Sequence, residues 1–468
     1  MTIPKIAVVG HPNKGKSSIV ATLVHNDNIA ISKLSGTTTA SHGYVLELDG
    51  QPLYTIYDTP GFQRSRRCFE ELDQMAVNAA ERSDAINAFI RQYKNENDAT
   101  FKDEIELLEP IMAGAGIIYV VDGAAPYSPE YEFEMTILQW TGKPRMALIN
   151  PIGGEAYLEE WQQALGQFFS IVKIFNPLTA DLDKQVGVLT AFAQLHEPWL
   201  KPLNYAVQKL EQHTKHQLTQ TAQVITDYVD DAIAYQINLP LVDEKLAKKV
   251  EDTLKSRYKK ELTSLENKLR QDLLTIYAYK NLNLNVKDFE LSYPDLFDQS
   301  YWYFFGLNKR KLIALGFVAG AATGAVVDAG VGGASFFTGT ILGGLTAGTA
   351  SYFASSDPSA IKIKGISIGG KQVTAGPINN AQFRFVLLGR AVYYFQQLQQ
   401  HTHANRSVLD LTEEPNMNWI EQLDKKSQLS LARLLQKATK GLSTSDRESL
   451  QKIIYTLLSI KNENSNAR

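Results

Sequence analysis

VVGHPNKGKSSIV, residues 8–20, decides the fold of the first part of this chain. Inside it, residues 10–17 (GHPNKGKS) fit the pattern G-x-x-x-x-G-K-[ST]. The residues just before, KIAVVG, read as a buried strand over 6–9. Those from Lys16 to His25 read as a helix. A glycine-rich turn between a strand and a helix is where this pattern holds phosphate groups. Gly10 and Gly15 permit the tight turn, successive backbone N–H groups converge, and the helix N-terminus adds partial positive charge. Lys16 is expected to bring its ammonium to the β- and γ-phosphates, and the Ser17 hydroxyl to coordinate magnesium. Asn13, Lys14 and Ser18 complete the candidate phosphate-contacting set.

Two further motifs follow in order. In SGTTTA, residues 35–40, a threonine hydroxyl is placed to complete the magnesium shell and sense the γ-phosphate; Thr38 is the first choice and Thr37 the second. In YDTPG, residues 57–61, Asp58 closes a strand read over 53–57 and reaches magnesium through water, while Gly61 offers its N–H to the γ-phosphate. Alone, DTPG would read as a turn. Asp49-Gly50 between 44–48 and 53–57 is a hairpin signal. Apolar strands over 117–121, 145–149 and 171–175 end at Asp122, Asn150 and Asn176, which places polar residues at the carboxyl ends of strands, where ligands bind in open α/β sheets.

The chain has 468 residues, too many for one compact core. A net charge of −3 gives no global basic field for nucleic acid. The single cysteine, Cys68, excludes an internal disulfide and fits a reducing compartment, so a cytoplasmic location is expected. The stretch from Phe62 to Ala115 has helical composition and reads as an insertion, either plain scaffold or an element coupled to the switch.

The trio GxPNxGKS, GTT and DTPG resembles the Era-like branch of the translation-factor class of GTPases, over roughly residues 3–195. The resemblance implies a mostly parallel sheet with one antiparallel edge strand, GTP and GDP as ligands, Mg²⁺ held by Ser17, Thr38 and Asp58, and slow hydrolysis. The guanine-reading Asn-Lys-x-Asp of such domains is LINPIGG here: Asn150 stands, Pro151 replaces the lysine and Gly153 the aspartate. Asn150 is left to touch guanine or to brace the phosphate loop. Asn176, in FNPLTA, is the other candidate for the base. Guanine is therefore the implied base, with adenine and loose specificity as alternatives. Where a water-orienting glutamine would follow the switch glycine stands Phe62, with Gln63 one residue late. GTPases with a hydrophobic residue there include some that use potassium held by the loop asparagine, which makes Asn13 a candidate K⁺ ligand beside its catalytic partners Lys16, Thr38 and Gly61. Arg64, Arg66 and Arg67 either solvate a loop or act on a second copy in a homodimer of these domains.

The N-terminal domain is expected over 1–198, with its helical insertion at about 64–115, and a mainly helical domain over 199–468, the break marked by Pro198 and Pro202. Leu246, Val250, Leu254, Tyr258, Leu262, Leu265, Leu269 and Leu273 form an apolar helical stripe, either a coiled-coil stalk or a packing face. Residues 312–354 are rich in Gly and Ala with one charge, Asp328. They read either as a segment touching the inner face of the cytoplasmic membrane or as a buried hairpin of glycine-zipper type. IKIKGISIGGKQV (361–373) reads as short strands, 382–400 as an apolar helix and 419–459 as helical; His401 and His403 lack partners for a metal site. This second half resembles bacterial proteins in which such a GTPase domain precedes a C-terminal domain of unknown function. Three functions remain: a slow GTPase switch, an Era-like RNA- or ribosome-associated assembly factor, and a membrane-associated nucleotide-binding scaffold with little turnover. The second expects a basic RNA-binding appendage, which the sequence does not offer.

Overall fold

The computed structural model describes residues 3–24, 30–33, 42–48, 50–95, 99–241, 245, 247–277, 296–297, 305, 361–365, 371–400 and 419–460. Thr37, Thr38, residues 312–354, His401 and His403 lie outside the described residues. The chain divides into two compact units, one up to Lys215 and the other over His216–Gln399 and the described residues from Trp419.

In the first unit, β1 (Lys5–Val9) leads through the phosphate-loop sequence into α1 (Lys16–Val24). Then come β2 (Ala30–Lys33), β3 (His42–Leu48) and β4 (Gln51–Asp58). The helices α2 (Ser65–Met75), α3 (Arg82–Asn95) and α4 (Lys102–Met112) fill the expected helical stretch. β5 (Gly116–Asp122), α5 (Glu130–Trp140), β6 (Arg145–Asn150), α6 (Leu158–Leu165), β7 (Val172–Ile174) and α7 (Leu182–Ala193) complete the alternation. The sheet order is β2-β3-β4-β1-β5-β6-β7. β1 pairs in parallel with β4 and β5, and β5, β6 and β7 continue in parallel. β3 runs antiparallel to both neighbours. The one antiparallel strand therefore lies second in the sheet, with β2 outside it; the edge position expected for it belongs to β2.

The strands alternate their side chains between two cores, as a period of two requires. Ile6, Val8, Ile118, Val120 and Leu148 bury against α1 and α7 on one face. Ala7, Val9, Ile117, Tyr119, Val121 and Ile149 bury against the helices of the other face, with Phe62, Cys68, Phe89, Ile105 and Leu108. Burial on both faces is why β1, β5 and β6 read as continuous apolar runs. Cys68 is fully buried, and burial pushes its thiol well up, with Glu104 and Glu71 adding to the effect.

Helix α8 (Glu197–Ala234) includes both Pro198 and Pro202. Proline is tolerated in the first turn of a helix, where its missing N–H has no partner to lose, so Pro198 marks a helix start and not an end. The two units divide after Lys215, inside this helix. The second unit contains β8 (Ile237–Leu241), α9 (Ala247–Ile276), β9 (Ile361–Gly365), β10 (Lys371–Ala375), α10 (Ala381–Gln400), α11 (Lys425–Lys437) and α12 (Thr444–Ser459). The strands form an antiparallel sheet in the order β8-β10-β9. The stripe on α9 is a packing face: Leu254, Tyr258, Leu262, Leu269 and Leu273 are buried in the core of this unit. Arg390 donates from Nε and Nη2 to the buried Glu266 at 2.6 and 3.0 Å, so this deep cation is paired. Among the described residues no helix is long and apolar enough to cross a membrane.

Candidate functional site

The loop between β1 and α1 is wound by left-handed backbone. Asn13 has φ +62° and Gly15 φ +83°. Asparagine tolerates that region better than other side-chain-bearing residues. Gly15 has a second reason to be glycine: a Cβ there would stand 2.3 Å from Asn150 Nδ2. Asn150, buried at the end of β6, donates from Nδ2 to Lys14 O at 3.2 Å. Its side chain thus meets the phosphate loop from below.

Lys16 is buried, and its Nζ donates to Gly10 O at 3.1 Å and His11 O at 2.9 Å. Burial pulls its ammonium below the ordinary lysine value, opposed by the charges of Asp58 and Glu134. Asp58 ends β4, opposite Val8 of β1 and His42 of β3 in register. The next residue, Thr59, is buried and donates its hydroxyl to Val8 O at 2.7 Å, tying the DTPG segment to the strand that feeds the loop. Gly61 packs on the loop itself, since a Cβ there would stand 2.5 Å from Pro12 N. Ser17 and Asn13 are exposed, and Ser18 accepts at its carbonyl from Thr22 Oγ1 at 2.9 Å. Ser17 and Asp58 supply hard oxygen donors of the kind magnesium takes.

Three polar contacts near the loop had no local sequence signal. His11 Nδ1 shares a hydrogen bond of 2.9 Å with Glu134 Oε1. The buried Glu134 also accepts from Tyr119 OH at 2.9 Å. Burial raises its carboxyl above the ordinary value, opposed by these two hydrogen bonds and by the charges of His11 and Lys16. Lys14 Nζ lies 3.5 Å from Asp122 Oδ2 at the end of β5. Partners such as His11 and Glu134, 123 residues apart, come together only through the sheet order.

The other candidates are placed as follows. Asn176 accepts at Oδ1 from Leu178 N at 3.0 Å, inside its own turn. Pro177 sits between them and lacks an N–H; its carbonyl accepts from Thr22 Oγ1 at 3.2 Å. Phe62 is buried in the core and does not face the loop as a water-orienting group. Gln63 has an exposed side chain. The Arg64 guanidinium donates to Thr100 O, and Arg66 Nε pairs with Glu70 at 3.2 Å, so both are engaged within their own chain.

Residues 162–459, more than half of the chain, match the family described as a domain of unknown function, DUF3482. The chain belongs to this DUF3482 family. Residues 5–150 match the family described as 50S ribosome-binding GTPase. The chain is similar to GTPase Der of Rhodopirellula baltica, 34% identical over 119 residues, which is 25% of this chain and 26% of that protein. GTPase Der of Desulfitobacterium hafniense (strain DCB-2) is 41% identical over 86 residues, 18% of this chain and 19% of that protein. The chain thus spans about a fifth to a quarter of the length of these curated relatives. Among solved structures it is similar to the G domain of the T. maritima FeoB iron transporter, at 18% identity and a TM-score of 0.26, covering 41% of this chain and 99% of that one. The DUF3482 chain therefore carries an N-terminal P-loop GTPase domain ahead of a mainly helical region. The finer Era-like placement rests on the three motifs alone.

Proposed function

We propose that the N-terminal unit binds GTP and GDP with Mg²⁺ and hydrolyses GTP slowly, as a nucleotide-controlled switch. The observation that carries this reading is the buried Lys16, whose ammonium rests on the loop carbonyls of Gly10 and His11, beside a loop wound by left-handed residues. Its ammonium sits where an entering phosphate can accept from it. Ser17 and Asp58, with Thr38, would hold the magnesium ion, which supplies charge neutralisation across the β- and γ-phosphates. Gly61 would report the γ-phosphate through its N–H, and Lys14, Gly15 and Ser18 would contact the phosphates. Slow turnover follows from Phe62: a buried phenyl ring orients no water.

Asn13, exposed and left-handed, is the proposed K⁺ ligand in place of an arginine finger. Single-turnover hydrolysis of GTP with magnesium tests this. The rate should be higher in potassium than in sodium at equal ionic strength, and Asn13→Ala should erase the difference. Equal rates in the wild type remove the potassium role.

A second reading keeps this chemistry and adds a ribosomal partner. What favours it is the match of residues 5–150 to a family described as 50S ribosome-binding. Co-sedimentation with large ribosomal subunits in GTP but not GDP would support it; a protein left in the supernatant in both would end it.

A further inference from the structure

Glu104 lies in the first turn of α4, inside the helical insertion, and is 1% exposed. Its Oε1 accepts from the backbone N–H of Gln63 at 2.9 Å and of Arg64 at 2.6 Å. Its Oε2 is buried and has no hydrogen-bond partner. Arg64 is the N-cap of α2, and its own side chain makes no capping bond. The carboxylate that satisfies the start of α2 therefore comes from α4, some 40 residues away in sequence. It stands at the N-terminal ends of both helices, where partial positive charge favours an anion. The Arg64 guanidinium adds a third tie, to Thr100 O just ahead of α4.

The residues upstream are held as well. Gly61 abuts Pro12 of the phosphate loop. Phe62, 1% exposed, packs in the core that also contains Phe89 of α3 and Ile105 and Leu108 of α4. Residues 61–64 thus contact the phosphate loop at one end and the insertion at the other.

We infer that Glu104 is a positioning residue: it couples the 61–64 segment beside the γ-phosphate site to the α3–α4 insertion, so that the insertion responds to which nucleotide is bound. This rests on the nucleotide-binding reading above. A hydrogen bond from Gly61 N–H to a γ-phosphate draws on Phe62 and on the two N–H groups at Glu104. The carboxylate now spends both bonds on one oxygen. Its second oxygen offers a displaced segment an alternative arrangement, one N–H on each, without leaving either donor unsatisfied. A buried acceptor with two such arrangements is what a two-state element needs.

Hydrogen–deuterium exchange on the full chain tests this, following peptides over 60–69 and 99–112 without nucleotide, with Mg-GDP and with a slowly hydrolysed Mg-GTP analogue. In the wild type both peptides should change together between GDP and the analogue. Glu104→Ala should speed exchange over 60–69 by about tenfold and abolish the response of 99–112, because that response depends on the carboxylate. Glu104→Gln keeps an acceptor oxygen and should keep the coupled response; it also carries the test if the alanine variant fails to fold. Calorimetry on the same samples separates the two claims. If GDP and the analogue bind but 99–112 exchanges identically in both, or still responds in Glu104→Ala, the coupling role is wrong. If neither nucleotide binds, the proposed function falls and the coupling role with it.

Discussion

At its phosphate end the candidate site is closely packed around Gly15, Lys16 and Gly61; at its base end it is more open. Gly15 sits against Asn150, Gly61 against Pro12, and Lys16 is buried on two loop carbonyls. At the base end Gly153 has open space where a side chain would stand. Ile152 and Leu178 are exposed apolar residues there, 43% and 48% accessible. Of the polar side chains nearby, Asn150 donates from Nδ2 to Lys14 O and Asn176 accepts at Oδ1 from Leu178 N. On the proposed reading the loop holds the phosphates, while Pro151 and Gly153 leave the base end without the lysine and aspartate that would read guanine. A site with few hydrogen-bonding groups for a base gives weak discrimination, because strong rejection comes from leaving such groups unpaired.

The comparison breaks most readily at Lys16. Lys16→Ala should weaken GDP binding by at least about a hundredfold, on the order of 3 kcal/mol, in a calorimetric titration. A loss under threefold would mean that the phosphates are not held here.

Asn150 sharpens the boundary between the two ends. If it braces the loop, Asn150→Ala should cost about tenfold for GDP and by the same factor for ADP. A loss confined to GDP would move Asn150 to the base end.

The smallest effect is expected at Glu134, beneath the loop. Its carboxyl is raised in the folded chain, so the protonated form is favoured there. Its stabilising contribution is complete below the ordinary carboxylate range and is lost as pH rises through the folded value. Denaturation midpoints of wild type and Glu134→Gln should therefore diverge across that window, with the wild type losing ground as pH increases. Parallel curves would show that Glu134 does not titrate differently on folding.

What could be read from the sequence divides along the same line. The phosphate loop, β1, the β3–β4 hairpin and the cores of β5 and β6 are local: an apolar run, a turn dipeptide or a spaced glycine announces each. β2 is four residues, AISK, too short for a period to show. β8, INLPL, contains Pro240, which argues against a strand; it is admissible because β8 is at the edge of its sheet. The α9 stripe showed which face is buried, while one of its partners, β10, comes from about a hundred residues further along the chain. Glu104 and Glu134 were invisible because an acid on a helix is ordinary until its burial and its partner are known. The base end was legible as a departure, Pro151 and Gly153 for lysine and aspartate. What the missing groups leave behind required the structure.

On the proposed reading the nucleotide is held by its phosphates at residues 10–17 and only loosely by its base. One calorimetric series on the full chain with magnesium tests this reading: GDP, ADP and guanosine. Expected are one-to-one binding of GDP, binding of ADP within tens-fold of it, and none detectable for guanosine. Guanosine binding comparable to GDP, or rejection of ADP by about ten thousandfold, would contradict it.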